Sequence, residues 1–438
     1  MKDVEFAFSN CLISREDVAK TAKNLLPEIE NCVQATHKGY DDDKACINLP
    51  DDKDMHGKVK ELAREKKRLN PEYLVVVGIG GSNLGTIAVQ ETVLGKMHNQ
   101  LSNSTRVLYA DTVDTDYING IAKLIESALK DGKNVVIDCI SKSGTTTETA
   151  VNFEVLFDVV RRHRLDYKDS IVITSDKGSK LWNLGQKMGF STLEIPEKVG
   201  GRYSVLSPVG LFPLALLGVD TDELVAGARQ ARDRCISSDV GENPAAKSAS
   251  IQHQHSGRGV NVFDLFLFSN DLESVGKWNR QLVAESLGKE NNKRGEKVNV
   301  GVTPTVSVGS TDLHSIAQLY LAGPYDKFTT FVSVENDFSL LKVPETSDFD
   351  ELVAGVRGKS LKTVMAAILE GTKAAFRERA RPYSEIVLPD KSERSIGQLL
   401  QFKMLETIYL GYLMGVNPFG QPGVESYKKE TRRILSQN

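Results

Sequence analysis

Short apolar runs rich in β-branched residues recur along this chain, separated by segments of helical period. That alternation restricts the possible fold more than any other feature. The first set lies at Tyr73–Val77, Arg106–Tyr109, Asn134–Ile140 and Ile171–Thr174, with amphipathic helical segments between them. Runs this continuously apolar suit strands buried on both faces, and their alternation with helices implies a parallel sheet covered on both sides. A second alternation starts near residue 258. Its strands are expected at Val260–Phe268, Thr303–Val308, Phe328–Val334 and Ser384–Leu388, with helices over 271–287, 312–322 and 348–380.

The 438 residues leave room for two or three domains, at ~100–200 residues each. Residues 15–35 have apolar positions at helical spacing (Val18, Ala22, Leu25, Ile29, Val33), with Pro27 set to kink or split the segment. The expected organisation is an N-terminal helical arm (1–55), a first α/β domain (56–220), a helical connection (221–257), a second α/β domain (258–390) and C-terminal helices (391–438). The expected helices near the end cover 393–415 and 422–436. No tandem repeat relates the halves, and no low-complexity linker separates them, so tight packing is expected.

Composition removes several classes of function. A formal net charge of −3 provides no global attraction to nucleic acid or anionic lipid. The busiest basic segment, Lys289 to Lys297, is interrupted by acids and reads as a solvated loop or as an attractor of a dianionic ligand. The 5 cysteines form no CxxC pair, which argues against a disulfide framework or structural zinc and fits a reducing cytoplasm. The N-terminus lacks the apolar core of a signal peptide. The longest apolar run, Val205 to Val219, is broken by Ser207, Pro208, Gly210 and Pro213 and is too short to span a bilayer.

Chemistry concentrates in a few loops. Ser141-Lys142-Ser143-Gly144-Thr145-Thr146 follows a buried strand and opens a helix. Hydroxyls, free N–H groups and the positive end of the helix dipole there suit a phosphate dianion. A plain Ser/Thr N-cap needs only one hydroxyl, fewer than this loop supplies. The P-loop spacing is absent. Gly78-Ile79-Gly80-Gly81-Ser82 also joins strand to helix, as a tight turn or a second wall for a phosphosugar. Asn83 stands where a dinucleotide motif would need its third glycine.

Glu285 continues the stripe Val275, Trp278, Leu282 on a helix, with Gln281 one turn before it and Gly288 as a stop. A carboxylate there is a satisfied buried acid, a frayed helix end or a general base. His314, expected in the first turn of a helix after a strand, is a capping residue or a proton donor to a sugar hydroxyl. Arg202, in the turn Gly200-Gly201-Arg202-Tyr203, offers a fixed charge for an oxyanion. Lys428 follows the turn from Pro418 to Gly423 and either snorkels or faces the cleft.

Taken together, these motifs resemble the phosphoglucose isomerase family from about residue 60 onward. Val199 to Gly210 and Gln421 to Lys428 are similar to its two signatures, and the remaining motifs occur in the family's order. The resemblance implies two SIS-type three-layer αβα sandwiches with mostly parallel sheets, and a metal-free, cofactor-free aldose–ketose isomerisation between glucose 6-phosphate and fructose 6-phosphate. It implies that Ser82, Ser141, Ser143 and Thr146 hold the phosphate with backbone help from Gly81 and Lys142. His314 and Lys428 would assist ring opening, and Glu285 would move the proton between C2 and C1. Arg202 would stabilise the cis-enediol intermediate, while Gln281 and Gln421 hold sugar hydroxyls. It further implies a homodimer in which the histidine comes from the partner subunit. Gly420 stands where the family has Asp or Asn, so a more flexible loop is expected there. A non-catalytic phosphosugar sensor and an isomerase acting also on mannose 6-phosphate are the competing readings.

Overall fold

The computed structural model describes residues 2–346, 349 and 351–437. Two five-stranded sheets organise it. The first runs Arg106–Ala110, Pro71–Val77, Asn134–Ile140, Ile171–Asp176, Ser191–Ile195, all neighbours parallel. The second runs Thr303–Val308, Val262–Leu267, Lys327–Val334, Tyr383–Leu388, and these are also parallel. Its last position is taken by Glu5–Ala7, which pairs antiparallel with Tyr383–Leu388. In each sheet the earliest parallel strand sits second and its chain successor lies outside it, so the two halves share one strand order.

The expected strands are therefore present, and the chain is mixed α/β with mostly parallel sheets. Two sheet strands were not expected, Ser191–Ile195 and Glu5–Ala7. A third feature, the hairpin Lys289–Asn291 with Lys297–Val300, occupies the segment read as a solvated loop. The N-terminal helical stretch is split at Asn24 and Leu25, giving Arg15–Lys23 and Leu26–Ala35, with Pro27 in the first turn of the second helix. That placement is tolerated because the first turn needs no N–H from proline. The helix expected over 348–380 is Leu361–Glu378, capped by Ser360; of its expected start, Asp348 and Asp350 lie outside the described residues. The stretch 207–257 forms Pro208–Leu217, Thr221–Cys235 and Pro244–Gly257.

Glu393–Leu413 is buried along nearly its whole length, from Ser395 to Gly411. Its buried face carries polar residues as well, with Lys403 paired to Glu406 at 2.5 Å, and the helix lies against Thr221–Cys235 with backbones nearly touching. A Cβ on Gly227 would stand 2.0 Å from the Arg394 carbonyl oxygen, and one on Gly397 would stand 2.0 Å from that of Leu224. One apolar cluster continues from the first sheet (Leu74, Val76, Val136) through Leu214 and Leu405 to the second sheet (Leu265, Ile386). Among the described residues no helix is long and apolar enough to cross a membrane.

Candidate active site

Each sheet reverses its strand order once, and in open α/β folds the carboxyl ends of the strands at that point form the crevice where ligands bind. In the first sheet that point lies between Pro71–Val77 and Asn134–Ile140, whose connections leave to opposite sides. The loops leaving these strands are Gly78 to Ser82 and Ser141 to Thr146. The first loop reaches the root of the second: a Cβ on Gly78 would lie 3.2 Å from the carbonyl oxygen of Ile140, the residue before Ser141.

The hydroxyl-rich loop does not spend its side chains on capping. Thr146 holds the N-cap position of Thr147–His163 without a side-chain bond to that helix. Its Oγ1 instead lies 3.1 Å from Ser141 Oγ. Ser143, exposed, accepts from the Thr145 amide at 3.3 Å and from the Thr145 hydroxyl at 3.2 Å. Gly144 adopts φ +66° and approaches Leu181 so closely that a Cβ would meet its amide nitrogen at 2.7 Å, so glycine is required on both counts. The Lys142 ammonium donates to the Glu197 carbonyl. Beneath the loop, the Asp176 amide donates to the Lys142 carbonyl at 3.3 Å. Burial pushes the Asp176 carboxyl up to about 6, with Lys142 opposing.

A second close approach links this crevice to Arg202. A Cβ on Gly81 would stand 2.2 Å from the Gly201 carbonyl carbon. Ser204 Oγ donates to the Gly81 carbonyl at 3.2 Å. The turn Gly201–Tyr203 thereby sits on the Gly78–Ser82 loop and turns Arg202 inward, where it is only 1% exposed. Its guanidinium is saturated with acceptors. Nε donates to Ser286 Oγ at 2.7 Å, and Nη1 to Glu285 Oε2 at 3.2 Å and to Gln421 Oε1. Nη2 donates to the Pro418 carbonyl at 2.6 Å and to that of Gly420 at 3.4 Å. Tyr203 shares Ser286 Oγ at 3.0 Å, and burial pushes its phenol up to about 12.

Glu285 lies on Glu273–Leu287, the helix following the Val262–Leu267 strand of the second sheet. Gln281 Nε2 donates to Glu285 Oε1 at 3.0 Å. Gln281 also borders the first half, since a Cβ on Gly80 would stand 3.0 Å from its Nε2. Gln281 Oε1 is buried without a hydrogen-bond partner. Glu285 therefore has one oxygen on Arg202 and the other on Gln281, with its side chain 29% exposed. Gly288 ends the helix in an extended conformation. Glycine is needed there because a Cβ would lie 2.8 Å from the Ala284 carbonyl oxygen.

Contact thus joins Arg202, Gln281, Glu285 and Gln421 with the Gly78–Ser82 loop, whose Gly78 abuts Ile140, the residue before the loop carrying Ser141, Lys142, Ser143 and Thr146. Ser82 closes the short 3₁₀ turn Gly80–Ser82 in the same wall. His314 and Lys428 stand apart from this cluster. His314 ends a 3₁₀ turn, Thr311–His314, rather than opening an α-helix, which starts only at Ala317. Asp312 sets that difference by accepting from the Val308 amide and the Ser315 hydroxyl, each at 2.7 Å, folding the turn on itself. The His314 side chain is exposed. Lys428 pairs with Glu425 at 2.9 Å on Glu425–Leu435, a helix with no buried residue.

Two polar residues of the cluster were not anticipated, Ser286 and Lys289. Lys289 is 8% exposed rather than solvated. Its Nζ donates to the Glu285 carbonyl at 2.6 Å and to the Gly420 carbonyl at 2.5 Å. Burial, with the Arg202 charge next in importance, pushes its ammonium down to about 8. Helix register offered no signal for it, because Glu273–Leu287 ends before it and Lys289 opens the Lys289–Asn291 strand.

The profile described as phosphoglucose isomerase matches residues 66–438. The chain belongs to the phosphoglucose isomerase family. Relatives in the phosphoglucose isomerase family include the glucose-6-phosphate isomerase of Exiguobacterium sibiricum, 34% identical over 99% of this chain and 96% of its own. The glucose-6-phosphate isomerase of Carboxydothermus hydrogenoformans is 34% identical over 86% of this chain and 81% of its own. A solved structure of a hypothetical protein from Thermus thermophilus superposes with a TM-score of 0.88 at 30% identity, covering 99% of both chains. That of a glucose-6-phosphate isomerase from Chlamydia trachomatis superposes at 0.83, covering 100% of this chain and 89% of its own, with 20% identity.

Proposed function

We propose that this chain interconverts glucose 6-phosphate and fructose 6-phosphate through a cis-enediol, with Glu285 as the base. The observation that carries this reading is the continuity between the glycine wall of the phosphate crevice and the Arg202–Glu285–Gln281 cluster. A phosphate held by Ser82, Ser141, Ser143 and Thr146, with the backbone of Gly81 and Lys142, directs the sugar toward Glu285. The N-terminus of Thr147–His163 adds its dipole to that anchor. Glu285 takes the C2 proton as the C–H bond breaks, the C1–C2 double bond forms and O1 gains a proton, then returns it to C1 as the O2 hydroxyl loses its proton and the C2 carbonyl forms. The hydrogen moves between neighbouring carbons with no net oxidation, so the reaction as proposed calls for no redox cofactor.

Arg202 supplies a fixed positive charge where the enediol oxygens gather charge, already oriented by Ser286, Pro418 and Gly420. Gln281 and Gln421 hold hydroxyls. The buried, unpartnered Gln281 Oε1 supports that role, since an acceptor withdrawn from water is costly until a donor reaches it. His314 and Lys428 serve ring opening after assembly, with His314 reaching the site of a partner subunit in a homodimer. Exposure of His314 supports this. We place the protein in the cytoplasm; five free, buried cysteines are consistent with that. The domain limits proposed from the sequence remain our division of the chain, with the cluster lying between the two α/β units.

The test is a coupled assay of fructose 6-phosphate conversion to glucose 6-phosphate on purified protein. Turnover supports the reading. Phosphosugar binding without turnover would replace it with a sensor.

A further inference from the structure

We infer that Lys289 is a positioning residue for the proposed isomerisation: it ties the Pro418–Gln421 loop to the end of the Glu285 helix and so keeps Arg202 and Gln421 against Glu285. This inference rests on the function proposed above.

The geometry is specific. The last carbonyls of any helix lack intrahelical donors. On Glu273–Leu287 the Gly288 amide satisfies Ala284 at 3.0 Å, and Lys289 Nζ satisfies Glu285 at 2.6 Å. The same ammonium reaches across to the Gly420 carbonyl at 2.5 Å. That carbonyl also accepts from Arg202 Nη2 at 3.4 Å. Two cations therefore converge on one peptide oxygen of the loop, and the next residue, Gln421, accepts from Arg202 Nη1. A Cβ on Gly420 would meet nothing within 4 Å. The loop is held here through its carbonyls, not through a close-fitting glycine.

Burying an ammonium is costly, and a helix end on the surface needs no buried lysine to finish it. The charged groups facing Lys289 are Glu285 from the last turn of Glu273–Leu287 and Arg202 from the Gly201–Tyr203 turn. Burial does most to lower the ammonium's affinity for its proton, Arg202 lowers it further, and Glu285 raises it. Lys289 accordingly loses its charge just above neutral pH. The bond to Gly420 then falls from a charge-assisted one to an ordinary one.

The test compares wild type, Lys289→Met and Lys289→Arg for kcat and KM across pH, with hydrogen exchange of residues 416–424. The expected result is a fall in kcat of about tenfold or more in Lys289→Met, with a smaller change in KM and faster exchange in the loop. Lys289→Arg, whose charge persists, recovers activity and moves the alkaline limb of the kcat profile upward from about 8. Wild-type kcat and pH profile in Lys289→Met would overturn the inference. Should Lys289→Met not fold, an identical alkaline limb in wild type and Lys289→Arg overturns it. Should the wild type not turn over either phosphosugar, the proposed function fails instead, and unchanged loop exchange in the variants separately overturns the tie.

Discussion

Arg202, 1% exposed, donates to the carboxylate of Glu285 at 3.2 Å, although 83 residues separate them. The pair holds the reacting carboxylate and the cation that would stabilise the enediolate in one rigid frame. Its cost in desolvation is offset because every nitrogen of the guanidinium is hydrogen-bonded. The frame is assembled before substrate arrives, which is what electrostatic catalysis requires.

Replacing Arg202 by Lys keeps the charge and loses the fork. A single ammonium cannot serve Ser286, Glu285, Gln421, Pro418 and Gly420 at once. We expect kcat to fall by roughly 10²-fold or more, with a smaller change in KM, measured in the coupled assay. Near-normal kcat would remove Arg202 from the chemistry.

Ser143→Ala removes a hydroxyl of the proposed phosphate anchor that no buried group depends on. KM should rise by about tenfold, the worth of roughly one hydrogen bond to an anion, and kcat should change less. The reverse pattern would place the phosphate elsewhere.

Gly81→Ala tests the junction of the two glycine turns. Its methyl would stand 2.2 Å from the Gly201 carbonyl carbon, backbone against backbone. We expect a loss of about 1–3 kcal/mol in stability and a fall in kcat/KM as the Arg202 turn is displaced. Urea unfolding and the coupled assay together check it.

How much of this was readable in advance depended on distance along the chain. Asn134–Ile140 and Val262–Leu267 declared themselves because parallel strands buried on both faces are uninterrupted apolar runs. Ser191–Ile195 did not: it is an edge strand with Ser191, Thr192 and Glu194 not buried. Glu5–Ala7 has no local signal, since its partner is residues 385–387. Ser141–Thr146 stood out because hydroxyls crowded a strand–helix junction. The partners of Arg202 could not be read, because they arrive from the 418–421 loop and from Glu285 and Ser286. Lys289 was hidden among Lys293, Arg294 and Lys297, and it lies past the helix stop at Gly288, so no helix register pointed it at Glu285.

Lys289 also ties pH to stability in a sense opposite to activity. Its ammonium ionises at about 8 when folded, against an ordinary 10.5. Between these values the unfolded chain holds the proton that the folded chain has released, so stability from this group rises with pH. Below about 8 its buried charge is a cost, and that cost is relieved progressively up to 10.5. Urea titrations should show wild type gaining stability relative to Lys289→Met over that range while its kcat declines. A constant difference would mean that Lys289 does not ionise there.

A shared site makes a sharp prediction for mixed subunits. If His314 serves the partner's Glu285, then Glu285→Gln and His314→Ala are each nearly inactive alone. Hybrids formed on mixing regain one intact site per dimer. Recovery after co-refolding, followed by the coupled assay, would support the shared arrangement, and its absence would confine His314 to its own chain or to no role.

The most direct measurement is isomerisation by wild type and Glu285→Gln in deuterated water, reading both turnover and deuterium at C1 and C2. We predict phosphosugar binding within a few-fold of wild type, turnover lower by on the order of 10³-fold, and solvent deuterium entering product only with the wild type. A variant that still turns over and exchanges at near wild-type rate would contradict the assignment of Glu285 as the base.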